Sequence, residues 1–463
     1  MRVGRKASGM AFHVSSRREG AFDACSEKYG SAAGKGIGKG TGHGAPDGRE
    51  RHCVDPGPEG KMISLAQPHI KDDFTAMMHW KRLYEYEHEA RLLLEAEKIV
   101  LDVMPEKCSC GSTLCLNGYE ESSVMDYIQG RTVVKIFYRR KGKCAACGKR
   151  YVSPLGEAAP SAFYTNKLLA HAAVEHYILG HSMGEVSAKL NASESALFNA
   201  FHLYAEQLTP FIDELIVHYR QSQIKHADET GWKCDGVNGY AWLFTNSSVA
   251  VHCFAHTRSQ SVVDKIFGDK KLPGVLCVDS YAGYNHVKCK VQYCYAHLKR
   301  TVDDLKKEFQ YDAEVLGFVN VLSPLLGQAM GLRGKKLDTA GFLAEAHAIK
   351  ERILQAVNAE ANHPGIQKIQ NIFRENELKL FHWAESPDVP ADNNFAERDL
   401  RKTVIARKIS YGSQSERGRK TRSVLMSILH TAQKNGRDPA TAFEKILREL
   451  QSGNRSGLLN LLL

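Results

Sequence analysis

The stretch GVLCVDSYAGY, Gly274 to Tyr284, decides the fold. Four apolar residues, Val275 to Val278, run without a polar break and stop at Asp279. Such a run reads as a strand buried on both faces. In α/β folds the carboxyl ends of buried strands are where ligands are held, so Asp279 stands where a metal ligand would. Two neighbouring stretches carry the same signal. QIKHADET, Gln223 to Thr230, and GYAWLFTNSSVAVHCFAH, Gly239 to His256, are short and rich in β-branched and aromatic residues, with the turn sequence DGVNG between them.

Asp228 follows the first of these strand-like runs much as Asp279 follows its own. A third acid, Glu397, lies one turn into a helix that opens after the Pro-rich loop of SPDVPADNNFAERDLRKTVIARK, Ser386 to Lys408. Asp392 competes with Glu397, but its place before the helix suits a cap. Taken singly, each acid is more often a surface or capping charge. Taken together, three carboxylates at strand ends and a helix start suit two hard divalent cations about 3.5–4 Å apart, with positions left for phosphate and water.

The charge balance agrees with a polyanionic partner. Formal net charge is +10, and Arg398 to Arg422 holds nine Lys or Arg against Asp399 and Glu416. A solvated helix face explains such a run as well as a phosphate-binding surface does. Arg398, Arg401, Lys402, Arg407 and Lys408 are the candidates nearest Glu397. No apolar run reaches the length of about eighteen residues that spans a bilayer, and the basic start lacks a secretory signal's apolar core. The expectation is a cytoplasmic, nucleoid-associated protein with no membrane partner.

Residues 1–62 are glycine-rich and polar and read as a disordered tail. Residues 70–104 read as an N-terminal helix, with apolar residues at helical intervals from 72 to 103. Residues 105–155 hold a cysteine module. CAACG gives Cys144 and Cys147 in a Cys-x-x-Cys turn followed by Gly148, a zinc-knuckle signal, while CSCGSTLC gives Cys108, Cys110 and Cys115. Cys108, Cys110, Cys144 and Cys147 are the expected zinc ligands, with Cys115 as substitute. Four thiolates leave no open position, so this zinc is structural. Residues 160–215 read as a long helix, a short one ending near Leu190, a turn at Asn191 to Ser193 and a further helix from Glu194, with Ser193 as its cap. Two helices joined by so short a turn suit a helix-turn-helix, and plain helix packing gives the same pattern.

Four motifs now add up to a resemblance. HADETGW (His226–Trp232), CVDSYAGY (Cys277–Tyr284), CYAHLKR (Cys294–Arg300) and DNNFAERDLR…ARKISYGS (from Asp392 to Ser413) resemble those of the insertion sequence 66 family of bacterial transposases. The likeness covers about residues 70–450, and the last motif is the most specific. It implies an α/β fold: a ribonuclease-H-like mixed sheet over 220–450, interrupted by a helical insertion at about 300–385 and preceded by the zinc module and helix-turn-helix. It places the family's acidic triad on Asp228, Asp279 and Glu397. It also implies two Mg²⁺ or Mn²⁺ ions and cutting and joining of DNA at the element's terminal repeats. The expected partners are those repeats, target DNA, a second copy of the chain on DNA, and accessory proteins encoded by the element. Departures are visible. Tyr295 stands where the family usually has Trp, Lys107 stands at the expected first zinc ligand, and the leucine-zipper-like start is weak. The competing readings are a catalytically inactive zinc-containing DNA-binding protein or repressor derived from a transposase, and a nuclease that cuts without joining.

Overall fold

The structure, a computed structural model, describes residues 96–159 and 162–463. The expected tail and most of the expected N-terminal helix lie outside the described residues. The chain divides at Thr165 into two compact units. Each is a mixture of helix and sheet or sheet alone, and the whole is α/β with two mixed sheets.

The first unit is built on a long hairpin, β2 (Leu114–Ile128) and β3 (Arg131–Cys144). β1 (Glu97–Leu101) runs parallel to β3, and β4 (Arg150–Val152) pairs antiparallel with its far end. Residues 97–101 are thus a strand and not the end of a helix. Their EKIVL sequence fits either periodicity, and pairing with Lys135–Arg139 supplies the backbone partners that favour the strand. Val124, Phe137, Leu155 and Ala158 form the core, with Ile99 and Leu101 packed on it. Beside that core Lys135 pairs with Asp126 at 2.9 Å and Glu157 at 2.7 Å, so its buried charge is compensated.

The second unit opens with α1 (Asn166–Tyr177), α2 (Met183–Leu190) and α3 (Glu194–Gln221). A Ser182–Glu185 capping box starts α2, and Asn191 ends it in the left-handed conformation at φ 47°. Ser193 occupies the N-cap position of α3, where its side chain makes no capping bond and meets Ser195 Oγ at 3.0 Å instead.

The sheet of this unit has the order β7-β6-β5-β8-β9. β5 (Ile224–Cys234), β6 (Val237–Thr245) and β7 (Ala250–Ala255) form an antiparallel meander, while β8 (Val275–Val278) and β9 (Lys290–Tyr293) run parallel to β5. Between β5 and β6 the turn residues Asp235 and Gly236 both have positive φ, 50° and 74°. Two such residues give the turn whose twist matches a hairpin. α4 (Gln260–Phe267) bridges β7 to β8.

After β9 the chain leaves the sheet through α5 (Tyr295–Glu308), α6 (Ala313–Gly331), α7 (Thr339–Asn358) and α8 (Pro364–Glu375). It returns in α9 (Asn394–Ser410), α10 (Glu416–Lys434) and α11 (Pro439–Gln451). α6 is the one described helix long and apolar enough to cross a bilayer. It serves here as the core helix of this block, with Val315, Val319, Leu322, Leu325 and Leu326 buried.

Alternation along β6 sets the layers. Leu243 clusters with Leu400 of α9 on one face. Trp242 and Phe244 turn to the other, where Phe244 meets Tyr219 of α3 and Phe267 of α4. Helices therefore cover both faces of this sheet.

Candidate active site

β5 and β8 pair in parallel with His226 opposite Cys277. Carried two residues further, that register sets Asp228 beside Asp279. Asp279 directly follows β8 as expected, but Asp228 lies inside β5, because pairing with β6 carries that strand on to Cys234. α9 brings the third acid. Asn393, 1% exposed, ties the start of this helix to β5: its amide nitrogen donates to Ala227 O at 2.8 Å and its Oδ1 faces His226 Nδ1 at 2.9 Å. Phe395 stacks on the His226 ring at 4.9 Å. Glu397, in the first turn, donates its backbone N–H to Asn393 O. The three expected carboxylates are near enough for the charges of Asp279 and Glu397 to act on Asp228, but their oxygens do not all come within 4.8 Å of one another.

Their electrostatics are strained. Burial, reinforced by the charges of Glu229, Asp279 and Glu397, pushes the Asp228 carboxyl up to about 7, although the Glu229 N–H at 2.9 Å opposes the shift. Asp279 accepts the Tyr281 N–H at 3.0 Å, which fixes its direction. Glu397 Oε1 is shielded from solvent with no hydrogen-bond partner. Crowded hard oxygens whose charge is costly to keep are a donor set that a divalent cation fits.

Several residues around this cluster escaped the sequence reading. Glu229 is a neighbour without a role in sequence, but its side chain is 2% exposed and pinned from two sides. Arg258 reaches it at 2.6 Å and Tyr284 donates to it at 2.6 Å. Arg258 also lies 3.6 Å from Asp279 and 4.2 Å over the Tyr281 ring. It is the cation closest to the acidic set among the described residues that pair with it. Alternation puts Glu229 on the opposite strand face from Asp228, a signal that sequence does carry. The identity of its partners, Arg258 and Tyr284, depends on tertiary contact.

The basic stretch divides into two groups. Arg398, Arg401 and Lys408 are exposed on α9. Arg407 spends its guanidinium on Thr230 Oγ1 at 3.1 Å and Gly231 O at 2.8 Å, and Lys402 is half-buried against Gln433. Arg422 is fully interior, bonded to His176 at 2.8 Å and stacked on Tyr177 and Trp232. Arg419 is held bidentate by Glu416 at 2.7 and 2.5 Å. Only part of the run therefore offers charge to a phosphate. Asp392 precedes the cap position and accepts the Asn394 N–H at 3.0 Å, while Asn393 itself is the N-cap residue.

Tyr295 is fully buried, edge-on to Trp383 at 5.8 Å, and donates to Leu380 O at 2.7 Å. Its hydroxyl thus gains a bond beyond the aromatic packing.

In the first unit Cys108, Cys110, Cys144 and Cys147 converge, with all four Sγ atoms within 4.8 Å of one another. Cys108 lies 3.5 Å from Cys147, and Cys110 3.5 Å from Cys144. These separations match those of thiolates around a tetrahedral ion with bonds of about 2.3 Å. The Tyr151 hydroxyl and a backbone N–H, by donating to Cys108 Sγ, pull its thiol down to about 5. The set is compatible with structural zinc. Cys115 lies on β2, paired opposite Lys143, outside this group.

Comparison with known proteins agrees in kind. The family described as Transposase IS66 family matches residues 161–421, more than half of the chain. Two proteins of Sinorhizobium fredii align along most of their length. The uncharacterized protein y4jD is 21% identical over 401 residues, 77% of this chain and 77% of that one. The uncharacterized protein y4qI is 22% identical over 400 residues, 77% of this chain and 72% of that one. A third, y4jO of the same organism, is 30% identical over 91 residues, 20% of this chain and 28% of that one. With a matched region that spans the meander, the parallel strands and the helix bearing Glu397, the chain belongs to the IS66 family of transposases.

Proposed function

We propose that the chain cleaves and joins DNA at the ends of its element, with Asp228, Asp279 and Glu397 as the metal-holding catalytic acids. The observation that carries this reading is their proximity: an acid within the central strand β5, one just past the end of β8 and one from a distant helix are close enough for the last two to act electrostatically on the first. An antiparallel meander flanked by two parallel strands, with helices on both faces, supports a ribonuclease-H-like arrangement. Two hard cations, Mg²⁺ or Mn²⁺, would lower the pKa of an attacking water or hydroxyl and stabilise the leaving 3′ oxygen.

The chain's own groups do the positioning. Asn393 and Phe395 seat the first turn of α9 on His226, so that Glu397 is held near enough to Asp228 to raise its pKa. Glu229, clamped by Tyr284, holds Arg258 close to Asp279. Arg398, Arg401 and Lys408 supply charge for phosphates along the bound strand. In the proposed sequence water attacks at the element end and frees a 3′ hydroxyl, which then attacks target DNA. The cysteine module and the α2–α3 helix-turn-helix would recognise the terminal repeats. A second copy on DNA, and accessory proteins, belong to the same reading, as does a cytoplasmic, nucleoid-associated location.

The test is Glu397→Gln, assayed for Mg²⁺-dependent cleavage of labelled element ends beside footprinting of the same ends. Cleavage lost with the footprint kept is the expected result. Undiminished cleavage would remove Glu397 from the catalytic set. Ends bound but never cut by the unsubstituted chain would favour a repressor derived from a transposase.

A further inference from the structure

Beside the acidic cluster lies a second donor set of different chemistry. Cys294 caps α5, and His297 follows in its first turn. Cys294 Sγ, His297 Nδ1 and one Glu397 carboxylate oxygen lie within 4.8 Å of one another, the nitrogen and Oε1 being 3.9 Å apart. Both of those atoms are shielded from solvent and neither has a hydrogen-bond partner. Two such atoms left unsatisfied are destabilising, and at 3.9 Å the pair is too far apart for a hydrogen bond between them.

Cys294 places a buried sulfur, 2% exposed, beside this pair, where it accepts the Asn393 N–H at 3.1 Å. Burial pushes its thiol up to about 11 against the pull of the backbone N–H groups of Asn393, His297 and Ala296, so an ion binding here has to displace the thiol proton. We propose that Cys294, His297 and Glu397 form a three-ligand site for a borderline-soft divalent cation of the zinc class. A thiolate and an imidazole select such an ion over Mg²⁺. Tetrahedral bonds of about 2.0–2.3 Å require these atoms to close by roughly 0.5–1.5 Å, within reach of side-chain rotation. One position stays open. On binding, the ion takes the place of the thiol proton, which is released to buffer.

The other mixed set of the second unit differs in this respect. Cys234, His256 and Glu416 also approach one another, but Glu416 is already held by Arg419 through both oxygens.

Because Glu397 is shared, an ion here would draw one of its oxygens away from Asp228 and Asp279. That consequence rests on the catalytic reading above; ion binding itself does not.

The experiment titrates Co²⁺ into the metal-stripped full chain and reads stoichiometry and the thiolate-to-cobalt absorption band. The background is a Cys108→Ser, Cys110→Ser, Cys144→Ser, Cys147→Ser variant, which removes all four thiols of the module of the first unit. A thiolate band that saturates at one thiolate-bound cobalt ion per chain is expected. Cys294→Ser should abolish the band. His297→Gln, at a half-exposed position, should weaken cobalt affinity by at least about tenfold with circular dichroism unchanged. No thiolate band in the background variant, or a band indifferent to Cys294→Ser or to His297→Gln, overturns the site. Cobalt held by the all-oxygen set gives no such band. Loss of DNA cleavage in the unsubstituted chain would leave this readout untouched.

Discussion

Replacing Asn393 by alanine should separate the anchoring of the site from its chemistry. The amide nitrogen donates to Ala227 O at 2.8 Å, which makes Oδ1 the acceptor and assigns the proton to His226 Nδ1 at 2.9 Å. Alanine leaves a buried carbonyl and a buried imidazole N–H without partners. At about 1–3 kcal/mol for each orphaned group, the expected loss is about 2–6 kcal/mol. For a unit of this size that corresponds to a fall in Tm of roughly 4–12 °C. Activity should fall further than stability accounts for. Glu397 hangs from the same turn through its bond to Asn393 O, and a displacement of about 1 Å costs on the order of a hundredfold in rate. Urea midpoints and thermal melts measure the first effect, and Mg²⁺-dependent cleavage of labelled ends at a temperature where the variant is fully folded measures the second. Asn393→Asp keeps the acceptor for His226 and loses the donor to Ala227, so it should fall between. A variant destabilised by less than about 0.5 kcal/mol would refute the anchoring argument, since a buried unpaired N–H alone exceeds that.

Other outcomes follow from the same contacts. Stability should decline as pH falls below about 6.5, because His176, His226, His252 and His430 are buried and their folded-state pKa values are depressed by burial, to about 3 for His176 and about 4 for His226. The unfolded chain then binds more protons than the folded one, and urea midpoints between pH 8 and pH 5 should show the loss. Arg398→Ala, Arg401→Ala and Lys408→Ala should each lower the salt dependence of DNA binding by about one phosphate contact, with melting temperature unchanged. Arg407→Ala should instead lower melting temperature, since Thr230 and Gly231 lose their partner. Chelation or Cys144→Ser should open the first unit to protease within residues 105–155, as expected where metal binding supplies folding energy.

Much of the second unit was legible because its signals are local. The apolar run ending at Asp279, the strand-forming residues that lead into Asp228 and the turn residues Asp235 and Gly236 each announce their element without outside help, although β5 continues past Asp228 to Cys234. The Cys-x-x-Cys knuckle likewise needs only spacing. What escaped depends on partners distant in sequence. Glu229 becomes a clamped group only through Arg258 and Tyr284, and Arg407 becomes structural only through the strand that it holds. Residues 97–101 suited either periodicity, and a neighbouring strand decided between them. Sequence charge also overstated the basic surface, because Arg422 and Arg419 look like solvated cations until their buried and bidentate partners are known.

The helical block leaves and rejoins the sheet at nearly the same spot. Tyr295 N–H, at its start, bonds to Ala391 O at 2.8 Å, and Cys294 Sγ accepts the N–H of Asn393. The block therefore leaves the sheet of the second unit with its two stems stapled together at the neck. Lengthening such a loop costs only about 0.6 kcal/mol per doubling, and at the neck it displaces nothing. Helices could be added, trimmed or exchanged at the far end of α5, around exposed Tyr311, while Glu397 keeps its place. In evolutionary terms the neck lets the surface that the block presents diversify independently of the chemistry.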